Sequence, residues 1–154
     1  MTKTGTSAEW RPTREIELVA GTPAGGGQDR PARVLLELLR SEGLVGVPVK
    51  LTNIAGRGGG NAWDYLAGRA GDGHVLAINS PTIVTNLLLG DSTLAYADLP
   101  PISNLYTEYL AFVVRPESAL RTPQDLLTRL ARDTAGVEIA FATAIGNINH
   151  MALA

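Results

Sequence analysis

The sequence contains no cysteine, which excludes a disulfide framework, a thiolate metal site and a cysteine nucleophile. Histidine is nearly as scarce. His74 and His150 are the only two, no H-E-x-x-H occurs, and neither has a second ligand type at helical spacing, so no metal and no metal cofactor is expected. Aromatic residues make up 5% of the chain, and Trp10, Trp63, Tyr65 and Phe141 show no stacking periodicity, so packing is their expected role. Thirteen Lys+Arg against fifteen Asp+Glu leave a net charge of -2 with no basic run, which excludes the phosphate-neutralising surface of a nucleic-acid binder. No window approaches the about 18 consecutive apolar residues of a membrane span, so direct membrane insertion is not expected. Residues 1–14 (MTKTGTSAEWRPTR) carry no apolar segment of an export signal and read as a polar extension. What is present is a globular composition, 45% hydrophobic and 18% charged over 154 residues, with seventeen glycines that cluster after strand-like runs.

Residues 15–21 (EIELVAG) alternate Ile16, Leu18 and Ala20, then meet Thr22-Pro23-Ala24-Gly25-Gly26-Gly27, which cannot continue a strand. Leu35, Leu38 and Leu39 recur at helical spacing over 29–42, with Asp29 placed to cap the start, Pro31 in the first turn and Gly43 as a stop. The unit repeats: PVKLTNI (48–54) alternates, Gly56 to Asn61 forms a second glycine loop, and Trp63, Leu66 and Ala67 fit one helical face. HVLAIN (74–79) is a short buried-strand run, Ser80-Pro81-Thr82 a loop, and IVTNLLL a third helix. Three successive strand-loop-helix units predict an α/β fold with a doubly wound parallel sheet.

Residues 91–109 are irregular, with Pro100-Pro101 in the middle, before LAFVV (110–114) reads as a strand. Thr122-Pro123-Gln124-Asp125 places a cap, a proline at the first helical position and an acid at the third, predicting a helix over 123–133. VEIAFAT (137–143) alternates as a further strand, followed by Ala144 to His150 and MALA. The sequence stops inside that strand-loop-helix unit, so the expectation is the N-terminal part of a longer chain.

Parallel sheets receive ligands beyond the carboxyl ends of their strands where strand order reverses, so residues 22–29 and 79–82 are the first candidates for a site. Glycine lets backbone N–H groups approach a ligand, and a following helix start favours a carboxylate or phosphate. Tight turns and close packing explain the same glycines equally well. Nucleotide binding is disfavoured: TPAGGGQD lacks G-x-G-x-x-G spacing, no G-x-x-x-x-G-K-[ST] occurs, and Asn53 stands where a ribose-binding acid is expected. Ser80 has no G-x-S-x-G elbow and no evident base, so nucleophilic catalysis finds no support. Two compatible roles are open to Asp29, N-cap of helix 29–42 and ligand positioning, and Arg33 one turn on can pair with it. Arg57 reads as a solvated loop cation rather than a ligand contact. His74 at a strand start reads as structural, and His150 as a polar contact or a cap.

These residues resemble the substrate-binding proteins of tripartite tricarboxylate transporters, the Bug or TctC family. The likeness lies in Pro23-Ala24-Gly25-Gly26-Gly27-Gln28-Asp29-Arg30-Pro31-Ala32-Arg33, in Asn53-Ile54-Ala55-Gly56-Arg57-Gly58-Gly59-Gly60-Asn61, in Asp72-Gly73-His74-Val75-Leu76, and in Gly146-Asn147-Ile148-Asn149-His150, in the family's order over residues 15–154. The resemblance implies two α/β domains of the periplasmic-binding-protein type II kind. The first would span 15–106, and 107–154 would give the crossing strand and the start of an incomplete second domain. It also implies a monomer that is not an enzyme and needs no cofactor, capturing a small carboxylate outside the cytoplasmic membrane for transporter subunits. The implied ligand contacts are Ala24, Gly25, Gly26, Gln28 and Asp29, with Ser80, Pro81 and Thr82, and across the cleft Thr143, Ala144, Gly146 and Asn147. His74 departs from the family's usual Tyr, Gly27 makes the first loop richer in glycine, and Asn147 replaces a common Ser. The competing expectation, from the absent export signal, is a cytoplasmic carboxylate-sensing or accessory domain of the same fold. A nucleotide-dependent enzyme would require catalytic residues outside this sequence.

Overall fold

The computed structural model describes residues 10–141 and 145–153. Strand β1 (Ile16–Ala20) leads through the first glycine loop into α1 (Asp29–Ser41), followed by β2 (Val49–Asn53). A short 3-10 turn over Arg57–Gly59 opens α2 (Gly60–Ala67), then come β3 (Val75–Ile78) and α3 (Thr82–Leu89). The three strands form one parallel sheet in the order β2-β1-β3, with Leu18 opposite Leu51 on one side and Leu76 on the other. The chain therefore moves outward from β1 to β2 and crosses back over β1 to reach β3. That reversal creates the switch point at the carboxyl ends of β1 and β3.

Both faces of the sheet are covered. Leu18, Ala20 and Ile78 pack on Ala32 and Leu35 of α1, whereas Val19 packs with Ala62, Trp63 and Leu66 of α2 and Ile83 of α3. Helices on opposite faces are what right-handed crossovers demand when the direction of winding reverses. The central strand explains its own sequence: Ile16, Leu18, Val19 and Ala20 are all buried because neither face meets water. Glu17 is the exception, on the face shared with α2. It accepts hydrogen bonds from Thr52 Oγ1 and Tyr65 Oη, both at 2.6 Å. The helical faces differ slightly from the sequence expectation. Leu38 is exposed at 48%, and Ala67 is exposed while Ala62 completes the buried face with Trp63 and Leu66.

Beyond a 3-10 turn at Tyr96–Asp98, the described chain contributes only α4 (Pro123–Arg132) and α5 (Ile148–Met151). The start of α4 is as the sequence predicts. Thr122 Oγ1 accepts from Asp125 N–H and the Asp125 carboxylate accepts from Thr122 N–H, with Pro123 at the first position. The two runs read as strands behave differently. Residues 110–114 and 137–141 pair with no strand among the described residues, and Phe112, Val113, Val114 and Phe141 are exposed. Their alternation is real, but a strand also requires a ladder partner, and none is present there.

Candidate functional site

The loops after β1 and β3 come together at the switch point, and the contact between them is made by Gln28. Its Oε1 accepts from Gly21 N–H at 2.7 Å and its Nε2 donates to Ser80 Oγ at 3.0 Å. Ser80 Oγ lies 2.8 Å from Thr82 Oγ1. The residue is buried, so this side chain is a brace between the two loops. Close approach makes it possible: a Cβ on Gly21 would stand 2.9 Å from Gln28 Oε1 and 3.2 Å from Gly59 Cα.

Asp29 sits beneath the first loop at 1% exposure. It does not cap α1, contrary to the sequence expectation. The helix begins after Gln28 without a side-chain cap, and Asp29 is already its first residue. Its Oδ2 accepts from Gly25 N–H at 2.7 Å and from Arg33 Nε at 2.8 Å, and its Oδ1 accepts from Asn53 Nδ2 at 2.9 Å. Asn53 Nδ2 also donates to the carbonyl of Thr22. The hydrogen bond from Arg33, then those from Gly25 and Asn53, lower the carboxyl to about 2, outweighing its burial. The acid beside the first glycine loop is thus held ionised and paired with Arg33. Its bond to Gly25 holds that residue at φ 81°, a conformation that favours glycine.

The backbone donors of the first loop are now sorted. Gly25 N–H is occupied by Asp29 and Gly26 N–H by the carbonyl of Pro23. Among the described residues, no acceptor faces the N–H groups of Ala24, Gly27 and Gln28, or that of Thr82 at the start of α3. Gly27 lies within the candidate segment 22–29 but not among the ligand contacts that the resemblance implies. Arg30 was also missed. It is exposed on the rim and donates to the carbonyl of Gly25 at 3.3 Å, although its position one residue past the loop was a usable signal.

The other candidates are distributed as follows. Pro81 immediately precedes α3 and is exposed. Thr143 and Ala144 lie outside the described residues. Gly146 packs on α3, where a Cβ would meet Leu89 Cδ1 at 2.5 Å and Thr85 Cβ at 3.5 Å. Asn147 is buried, and its side chain accepts from His150 N–H at 2.8 Å, capping α5. His150 Nδ1 in turn accepts from Gly146 N–H. Arg57 is not simply solvated: it pairs with Asp64 at 2.7 Å and donates to the carbonyl of Asp91. His74 lies at the opposite end of the sheet, with Nε2 accepting from Thr13 N–H at 3.1 Å and Nδ1 against Asp72 Oδ1.

Among the described residues, no group of three or more His, Asp or Glu side chains is placed to hold a metal, and no helix is long and apolar enough to cross a membrane. The large groove of the molecule, about 740 Å³, lies away from the loops between residues 108–115 and 137–141. Phe112, Val114, Ile139 and Phe141 line it.

Compared with known proteins, the chain is 32% identical over 150 residues to Protein BugT of Bordetella pertussis (strain Tohama I), a match covering 94% of this chain and 45% of that protein. It is 31% identical over 146 residues to the UPF0065 protein in the tcbD-tcbE intergenic region of Pseudomonas sp. (strain P51), covering 93% of this chain and 42% of that protein. The chain therefore spans less than half the length of either relative. No family model matches it, and no solved structure does.

Proposed function

The chain belongs to the Bug family, and from that membership we propose that it forms the first α/β unit of a non-catalytic, extracytoplasmic solute-binding protein. Its ligand is a small carboxylate, and its partner is the membrane part of a tripartite tricarboxylate transporter. The observation that carries this reading is the switch point, where two braced loops leave the N–H groups of Ala24, Gly27, Gln28 and Thr82 without an acceptor among the described residues. Fixed donors at the start of a helix match a carboxylate, and the pairing of Asp29 with Arg33 offsets the charge that would oppose it. A binding role also fits Ser80, whose hydroxyl is engaged with Gln28 and Thr82 rather than with a base.

In this reading residues 15–106 are one domain and 107–154 open a second, of the periplasmic-binding-protein type II kind. The unpaired apolar runs 110–114 and 137–141 and the signalled start of α4 support it, as does the greater length of the relatives. Thr143, Ala144, Gly146 and Asn147 then belong to the opposing lip of the cleft, and closure across it gates release.

A thermal-shift series with acetate, succinate and citrate, with NAD and ATP as comparators, tests the proposal. A saturable rise in Tm with a carboxylate alone is the expected result. A rise with a nucleotide and none with any carboxylate would sink it.

A further inference from the structure

The site holds more orientation than a set of free amides. Gly21 N–H can only donate, so it fixes which end of the Gln28 carboxamide faces it: Oε1 accepts there at 2.7 Å, and Nε2 must face Ser80. Ser80 Oγ accepts that N–H, leaving the hydroxyl proton to be placed. The other polar group against Ser80 Oγ is Thr82 Oγ1 at 2.8 Å. Either hydroxyl can be the donor in that contact, and only with Ser80 donating does the Ser80 proton find an acceptor among the described residues. The order that keeps both protons within the protein runs from Gln28 to Ser80 to Thr82. In that order Thr82 Oγ1 accepts from Ser80, and its own proton is left to donate elsewhere.

We propose that the Gln28 side chain is a positioning group that does not itself touch the ligand but, through Ser80, commits the Thr82 hydroxyl to donate outward, making it a specificity group for anionic acceptors. The inference rests on the carboxylate-binding reading above and deepens it. It reassigns Gln28 from ligand contact to brace, and it adds a side-chain donor beside the backbone N–H of the same Thr82. Such a chain also polarises along its length, so each link strengthens the next. A ligand whose nearest atom is a donor would meet the wrong end of the hydroxyl. Discrimination then comes from direction as well as from shape.

The chain predicts a specific form of non-additivity. Ser80→Ala and Thr82→Val are neutral and small, and each breaks the same relay. Calorimetric titration of the protein with acetate, succinate and citrate is expected to show each variant losing about tenfold in affinity for the carboxylate that binds. The double variant should lose little more than either single one. Gln28→Glu gives a second readout. The introduced carboxylate keeps the bond to Gly21 but accepts from Ser80, reversing the relay at pH 8. Additive losses in the double variant, or a Gln28→Glu protein that binds like wild type at pH 8, would overturn the relay while leaving the carboxylate reading standing. Failure of the wild-type protein to bind any of the three acids would overturn that reading, and the outward donor with it.

Discussion

Asn53 Nδ2 stands 2.9 Å from Asp29 Oδ1 and also 2.9 Å from the carbonyl oxygen of Thr22. One carboxamide thereby ties the last residue of β2 to the first turn of α1 and to the exit of β1. The first glycine loop is held from below by this stitch and from the side by Gln28. Its exposed amides are consequently fixed in space before any ligand arrives, the condition under which backbone donors bind without a large ordering cost.

Asp29→Asn should expose the electrostatic part of that arrangement. Asparagine has one acceptor oxygen where the carboxylate receives three donors, so at least one of Gly25, Arg33 and Asn53 loses its partner. The folded carboxyl is lowered from 3.8 to about 2, so its stabilisation is present above the higher value and is lost as pH falls through the lower. Urea midpoints measured from pH 7 down to pH 2 should therefore show wild type ahead at neutral pH, with the gap closing between about pH 4 and pH 2. A gap independent of pH would show that shape, not ionisation, is what the site requires.

Much of this architecture is legible in the sequence for physical reasons. Alternation in 15–21 and 48–54 and the short apolar run 74–79 identify strands by their pattern, and glycine loops mark where β1 and β2 end. Thr122 and Asp125 announce α4 because capping is a local interaction between residues three apart. The roles of Gln28 and Asp29 were not legible, since both depend on partners distant in sequence: Ser80 is 52 residues from Gln28 and Asn53 is 24 from Asp29. Residue type says that an acid near a helix start can cap it, but not that its oxygens are already engaged elsewhere. The runs 110–114 and 137–141 fail as strands for a related reason, because pairing is a property of two segments and sequence displays one at a time.

Helix α4 buries no residue among those described, so its stability should be local. Thr122→Ala removes the hydroxyl that accepts from Asp125 N–H at 3.2 Å. The expected cost is about 1 kcal/mol. Hydrogen exchange should find it within 123–132 as roughly fivefold faster exchange, with the thermal midpoint of the sheet core unchanged. A loss of Tm equal to the local cost would instead mean that α4 unfolds together with the sheet.

Tyr65 supplies a test at the alkaline end. Its hydroxyl donates to Glu17 Oε2 at 2.6 Å, while the Arg69 guanidinium lies 3.3 Å from the centre of its ring. Burial alone would raise Glu17, but the hydrogen bonds from Thr52 and Tyr65, with the charge of Lys50, outweigh it and hold the carboxyl below its ordinary value. The same bond, reinforced by burial, pushes the Tyr65 phenol above 10.0. A raised folded value contributes stability that is complete below the unfolded pKa and disappears as pH rises through the folded one. Difference absorbance between wild type and Tyr65→Phe should isolate one phenol whose transition lies above the ordinary tyrosine value. The variant should also be less stable than wild type at pH 8, with the two converging as pH climbs past the Tyr65 transition. A Tyr65 phenol that titrates at the ordinary tyrosine value would mean that the Glu17 contact does not persist in solution, and the polar network on the α2 face of the sheet would then have to be rebuilt around Thr52 and Lys50 alone.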